Sequence, residues 1–294
     1  MFDARARPLT TPSIEQPERG LSTVTVVVAV LNAVTTIAAT IESLLTQEGD
    51  PPEVVVVDGA STDGTVQVLE SFRSRLQVYI SEPDGGIYDA MNKGLRAATH
   101  EWVIFMNAGD VFAAPDVLAR MRETLAGSYH VVCGDFAMTW RSYAVHFAVR
   151  PLEGGRMPTQ HQAIFVRRAV ALRHPFRTTF RVAADYDQLR RMVGAGASIG
   201  YTRVLIARVA AGGFSSINAR LAIVEFREII AQTDGPLAAW TWYVPVRLWT
   251  AGSALIRNRF SEPTIGRLRR WRHALAGRSA TDSAAEGPTP QSPR

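Results

Sequence analysis

Between residues 24 and 106, short β-branched runs alternate with segments of helical periodicity, and that alternation limits the chain to few folds. Val24–Leu31, Glu53–Asp58, Gln77–Ser81 and Trp102–Met106 read as strands. Val34–Thr46, Thr65–Phe72 and Tyr88–Ala98, between them, carry a helical pattern. Parallel strands joined by helical crossovers follow, with helices on both faces. Ligands in such sheets bind beyond the carboxyl ends of the strands. Polar residues stand at those ends: Asn32 after the first strand, Asp58 after the second, Asn107 and Asp110 after the fourth.

The second half is less regular. Tyr129–Phe136, Tyr143–Val149, Gln162–Val166 and Ile199–Val209 read as strands, Ala184–Val193 and Asn218–Gln232 as helices. This divides the chain into an expected disordered leader (1–22), an α/β domain (23–216), a C-terminal helical segment (217–278) and a disordered tail (279–294).

Charge separates the same parts. The chain has 32 basic and 27 acidic side chains, a net +5. From Arg257 onward there are eight arginines against Glu262, Asp282 and Glu286, which leaves 24 of each sign in the first 256 residues. A nucleic-acid-binding domain would carry its basic patch within the fold, so that class is set aside. The single Cys133 excludes an internal disulfide and a thiolate metal cage. The longest apolar approach to a membrane span, Leu237–Ile256, is interrupted by Pro245 and Arg247; spanning takes ~20 apolar residues.

Two nucleotide-binding devices are also absent. The first strand ends Val30-Leu31-Asn32-Ala33, without the G-x-G-x-x-G turn of dinucleotide sites, and no P-loop occurs. Side chains, with or without a metal, must hold the ligand. Asp58 opens the run Asp58-Gly59-Ala60-Ser61-Thr62-Asp63-Gly64-Thr65. A carboxylate there can accept from a nucleobase imide or a ribose hydroxyl, while Thr62 and Asp63 suit a helix N-cap. Asp84 precedes two glycines, and Asp89, Asn92 and Lys93 share one helix face through their i, i+3, i+4 spacing. That face is expected to point into the nucleotide pocket. Asp110, with few other strong ligands nearby in sequence, suits Mg²⁺ or Mn²⁺, hard ions held by one or two carboxylates plus phosphate oxygens.

Taken together, V-D-G-A-S-T-D-G-T, S-E-P-D-G-G-I-Y-D-A-M-N-K-G and N-A-G-D resemble the family 2 glycosyltransferases of GT-A fold. The likeness is closest to the branch acting in capsule, colanic-acid-type and glycolipid assembly. It implies a single mixed, mostly parallel α/β sheet flanked by helices, with a nucleotide half, an acceptor half and a C-terminal helical appendage. It assigns nucleotide contacts to Val30, Asn32, Asp58, Asp84, Asp89, Lys93 and Asn107, and the metal to Asp110. N-A-G-D stands where the family's D-x-D lies, with Asn107 in the first acidic position. Ala183-Ala184-Asp185-Tyr186-Asp187 resembles the family's E-D-x-D, with Ala184 in place of glutamate, so Asp185 is the expected general base. Asp187 is expected in a supporting role. His161 and Gln162 of H-Q-A-I-F, and Ser215 in the Gly212-Gly213-Phe214-Ser215 segment, are candidates for the diphosphate or acceptor.

The resemblance therefore implies inverting transfer from a nucleotide-diphosphate sugar, a UDP-sugar first among them, with Mn²⁺ or Mg²⁺ bound. The acceptor is a hydroxyl of a lipid-linked, glycolipid or polysaccharide molecule. Tryptophans near the late arginines suit an anionic membrane surface on its cytoplasmic face. Two alternatives stay open. A degenerate relative would bind a nucleotide-sugar without turning it over; a sugar nucleotidyltransferase would release pyrophosphate rather than nucleoside diphosphate.

Overall fold

The computed structural model describes residues 23–140, 143–153, 156–213, 217–246 and 280–281. The expected leader, Ser215 and nearly all of the chain beyond residue 246 lie outside them.

The first strand, β1 (Val24–Val30), is buried at every position. It pairs in parallel with β2 (Glu53–Asp58) on one side and β4 (Trp102–Asn107) on the other, and β2 pairs in parallel with β3 (Val78–Ser81). Both faces are covered, so the strand is apolar apart from Thr25, whose hydroxyl donates to Glu53. Its alternating residues feed two cores. Val24, Val26, Val28 and Val30 meet Ile37, Ile41 and Leu44 of α1 (Ile37–Leu45), together with Leu69 of α2 (Thr65–Ser71). Val27 and Ala29 meet Met91 and Leu95 of α3 (Ile87–Ala97).

Helix α3 lies close to the sheet because Gly94 faces Val27. A Cβ at Gly94 would stand 2.3 Å from Val27 Cγ1. Alanine there gains about 1 kcal/mol of helix propensity but overpacks a central strand, at a cost of about 1–3 kcal/mol. Val27 is fully buried and β-branched, so the clash should win. Gly94→Ala is expected to lower the urea midpoint without changing the slope; a raised midpoint would contradict this packing.

Beyond β4 the sheet changes direction. After β5 (Val111–Phe112) and α4 (Val117–Leu125) come β6 (Val131–Trp140), β7 (Tyr143–Phe147) and β8 (Ile164–Arg167). The path runs β3-β2-β1-β4-β8-β6-β7, with β8 antiparallel to both β4 and β6. Helices α5 (Arg168–Arg173) and α6 (Ala184–Gly194) follow, then β9 (Ile199–Ala210), which pairs in parallel with β6 and antiparallel with β5. The short β10 (Ala280–Thr281) adds to the β7 edge. Among the described residues this is one mixed sheet, parallel in its first half, and β4 joins the halves.

Two helices follow residue 216. Helix α7 (Ala219–Asp234) buries Glu225, Ile229 and Ile230. The helical run 236–246 buries Ala239 in the core that holds Tyr88, Phe176 and Tyr186. As far as residue 246 this segment packs on the domain. No helix among the described residues is long and apolar enough to cross a membrane.

Candidate active site

Three loops meet at the carboxyl ends of β1, β2 and β3. Asn32 turns the chain after β1 with a left-handed φ of 49°, a conformation asparagine tolerates. Its N–H donates to Ser61 Oγ at 2.8 Å, and its Oδ1 accepts from Thr62 N–H at 2.9 Å. The carbonyl of Val30 accepts from Gly59 N–H at 2.9 Å. Gly59 permits a close approach, since a Cβ there would lie 2.5 Å from Asp84 Oδ2. Ala60 is also left-handed, at φ 62°, which costs an alanine about 1–2 kcal/mol.

Asp58 serves this loop from within. It is fully buried, accepts from Ser61 N–H at 3.1 Å and from Ser81 Oγ at 2.7 Å. Asp63 stands one residue ahead of the N-cap position, which Gly64 fills. Its carboxylate takes the Thr65 hydroxyl and N–H and the Val34 N–H, and the Thr65 hydroxyl foremost holds its pKa below the ordinary aspartate value.

The third loop is stapled to α3. Asp84 Oδ1 accepts from Gly86 N–H at 2.8 Å, and Asp89 Oδ2 from Gly85 N–H at 3.0 Å. Lys93 reaches Glu82 at 2.8 Å and the Pro83 carbonyl at 2.9 Å, with Asp89 at 3.6 Å. Asn92 does not share their surroundings. It is buried and exchanges two hydrogen bonds of 2.9 Å with the Phe176 backbone, tying α3 to the second half. The face expected to line the pocket is thus split, because the helix turns Asn92 inward.

A second group assembles where β4 ends. Asn107 Nδ2 lies 3.1 Å from His161 Nε2, and His161 Nδ1 lies 3.1 Å from Asp185 Oδ2. The amide donates, so Nε2 accepts and Nδ1 carries the proton toward the carboxylate. Asp185 Oδ1 accepts from Tyr186 N–H at 2.8 Å and faces Tyr88 Oη at 3.3 Å. Burial, then the neighbouring Asp185, raises the Tyr88 phenol pKa well above its usual value. Behind the pair lies a small apolar cavity lined by Phe105, Ile164, Phe176, Leu189 and Met192. His161 and Asp185 each keep part of their side chain open, 15% and 16% respectively.

Asp110 sits deeper. It is 5% exposed, accepts from Gln162 Nε2 at 2.7 Å and from Ala210 N–H at 3.2 Å. Burial raises its carboxyl pKa, opposed first by the Gln162 amide. Asn107 Oδ1 and Gln162 Oε1 are buried without hydrogen-bond partners. No group of three or more His, Cys, Asp or Glu side chains among the described residues forms a ready metal cage.

Asp187 is wholly buried and bonded to Arg177 and Arg191, the latter at 2.8 Å; it braces α6. Sequence reasoning passed over Tyr88, Ser81 and Glu225. The last left a trace: a carboxylate four residues before Ile229 on the buried stripe of an amphipathic helix.

Known proteins resemble this chain in sequence and in fold. A "PGL/p-HBAD biosynthesis glycosyltransferase" of Mycobacterium bovis (strain BCG / Pasteur 1173P2) is 32% identical over 171 residues, 55% of this chain and 66% of that protein. The chain thus spans just under two thirds of that relative. "Succinoglycan biosynthesis protein ExoO" of Rhizobium meliloti (strain 1021) is 39% identical over 101 residues, 34% of this chain and 29% of that one. Among solved structures, the mannosyltransferase PcManGT from Pyrobaculum calidifontis, in complex with GDP-Man and Mn²⁺, superposes with a TM-score of 0.61 at 22% identity. It covers 86% of this chain and 80% of its own. S. aureus TarS 1-349 in complex with UDP-GlcNAc gives 0.58 at 16% identity, with 76% and 71% covered. Both share the GT-A fold expected from the sequence. A profile described as "Glycosyl transferase family 2" matches residues 25–185, from the first strand to the candidate base, and the chain belongs to that family.

Proposed function

We propose that this chain is an inverting glycosyltransferase using a nucleoside-diphosphate sugar. The observation that carries the reading is the Asn107–His161–Asp185 relay, which links the end of a donor-side strand to the first turn of α6. The nucleotide lies across the Asn32, Asp58 and Asp84 loops, with Asp89 and Lys93 bracing the third. Asp58 works mainly by holding its loop, since its carboxylate is already engaged.

In the transfer step Asp185 takes the proton of an acceptor hydroxyl. The freed oxygen attacks the anomeric carbon from the face opposite the phosphate. The carbon–phosphate oxygen bond breaks, and the nucleoside diphosphate leaves with the electron pair. His161 and the Tyr186 N–H orient the carboxylate, and its remaining lone pairs stay available.

The residues near Asp110 fit a hard divalent cation. A desolvated carboxylate stands with two buried, unpartnered amide oxygens, Asn107 Oδ1 and Gln162 Oε1, and hard cations take oxygen ligands. When bound, Mn²⁺ or Mg²⁺ supplies charge neutralisation for the leaving diphosphate. With a single protein carboxylate, most of its ligation would come from the donor. One structural neighbour holds GDP-Man with Mn²⁺ and another holds UDP-GlcNAc, which supports the donor class; we take a UDP-sugar as the first candidate.

The acceptor we propose is a lipid-linked, glycolipid or polysaccharide hydroxyl, supported by the names of the glycolipid and succinoglycan relatives. Exposed Leu237, Trp240 and Val244 precede the arginine-rich stretch. Together they support peripheral attachment to the cytoplasmic membrane face.

A panel of UDP- and GDP-sugars, with water as a slow acceptor, tests the reading. One donor should release nucleoside diphosphate, faster with Mn²⁺ and not after chelation. Pyrophosphate release would make the chain a nucleotidyltransferase. Binding without release, across added lipid acceptors too, would make it a degenerate relative.

A further inference from the structure

The turn before Asp185 is held from two sides. On one, the Val182 carbonyl accepts from Tyr88 Oη at 2.7 Å. On the other, the N–H groups of Arg181, Val182 and Ala183 converge on the carboxylate of Glu225, at 2.8, 2.9 and 2.8 Å. Three consecutive amides aimed at one anion form a nest. It stands directly ahead of α6, whose N-terminal dipole also favours negative charge.

Glu225 is 6% exposed, and its reach is set by packing. Next to it on α7, Phe226 stacks on Tyr186 with ring centroids 4.5 Å apart. Gln232 accepts from Arg177 at 3.0 Å, and Thr233 from Arg190 at 2.9 Å. Ile229 and Ile230 enter the core beside Tyr88 and Phe176. The α6 turn itself offers only Ala183 and Ala184 ahead of Asp185. The negative charge in that position therefore comes from a residue 40 positions later in the chain.

We propose that Glu225 is a positioning residue for glycosyl transfer: by fixing the backbone of residues 181–183 it sets the direction of the Asp185 carboxylate. It touches no substrate. The inference rests on the reading of Asp185 as the base.

Full-length Glu225→Ala, Glu225→Gln and Asp185→Asn test it by three measurements. These are amide exchange over residues 181–187, binding of UDP and GDP, and nucleoside diphosphate release from the best donor of the panel. Glu225→Ala should speed exchange over 181–187 about 10-fold while residues 53–65 keep their protection. It should slow release about 10-fold through misorientation of the base, at unchanged nucleotide affinity. Glu225→Gln keeps the shape and one acceptor oxygen and should recover part of both losses. If Glu225→Ala does not fold, Glu225→Gln carries the test with intermediate effects in the same two measurements. Unchanged exchange over 181–187, or a loss of nucleotide binding as large as the loss of release, overturns the proposal. Wild-type release by Asp185→Asn would instead overturn the base assignment, and the exchange result would still decide whether Glu225 holds the turn.

Discussion

Replacing Asp185 by asparagine should slow glycosyl transfer by about 10²–10⁴-fold, the usual share of a general base. Nucleotide binding should stay within about two-fold of wild type, since the change removes an interaction made in the transition state. Asparagine keeps the size of the side chain and an oxygen for the Tyr186 N–H. It cannot take a proton at pH 7, and its amide faces the His161 N–H where a carboxylate oxygen accepted. Single-turnover release of nucleoside diphosphate, beside a binding titration, separates the two quantities. Wild-type turnover would remove Asp185 from the mechanism. An equal loss of nucleotide affinity would mean that the change disturbed the donor loops.

The second large effect comes from shortening the chain at two places. A chain ending at Ile217 loses α7. The three N–H groups before Asp185 then lose their carboxylate and the helix that covers them, at about 0.5–1.5 kcal/mol for each hydrogen bond exchanged for water. Ile229 and Ile230 leave the core as well, at about 1.5–3 kcal/mol each. Against a domain stability of about 5–15 kcal/mol, this chain should melt far below the full one and turn over no donor. A chain ending at Val246 keeps all of these contacts but lacks the eight late arginines. It should retain its donor hydrolysis and lose its flotation with anionic vesicles at low salt, since the basic stretch supplies the electrostatic part of attachment. An active, cooperatively folded chain ending at Ile217 would make α7 a dispensable appendage. Undiminished flotation of the chain ending at Val246 would move the membrane contact to Leu237, Trp240 and Val244.

The first half of the fold was legible because its signals are local. Strands buried on both faces are continuous apolar runs, and Glu53–Asp58 was bounded to the residue. Helix α1 begins later than its pattern suggested, since the chain first turns through left-handed Asn32. The second half yielded less. Helix α4 and the six-residue α5 carry arginines among their apolar positions, and the two-residue β5 is too short for any period.

The site divides in the same way. Polar residues at strand ends were readable one by one; their partners were not. The Asp58 carboxylate, readable at a strand end, meets Ser81, 23 residues on. His161 joins Asn107 across 54 residues and Asp185 across 24. Tyr88 meets Asp185 across 97. Such pairings are set by the order of strands in the sheet, which local periodicity does not encode.

The dependence on Glu225 gives the protein a timetable. Translation proceeds from the N-terminus, and the loops proposed for the donor are complete once residue 110 has been made. Asp185 follows, yet the amides ahead of it have no carboxylate to meet until α7 emerges. In a chain still being made, the residues proposed for the donor are therefore present before the carboxylate proposed to orient the base. On the proposed reading, the helix that carries Glu225 is made after both halves of the site, and its docking is the step that completes the turn ahead of Asp185.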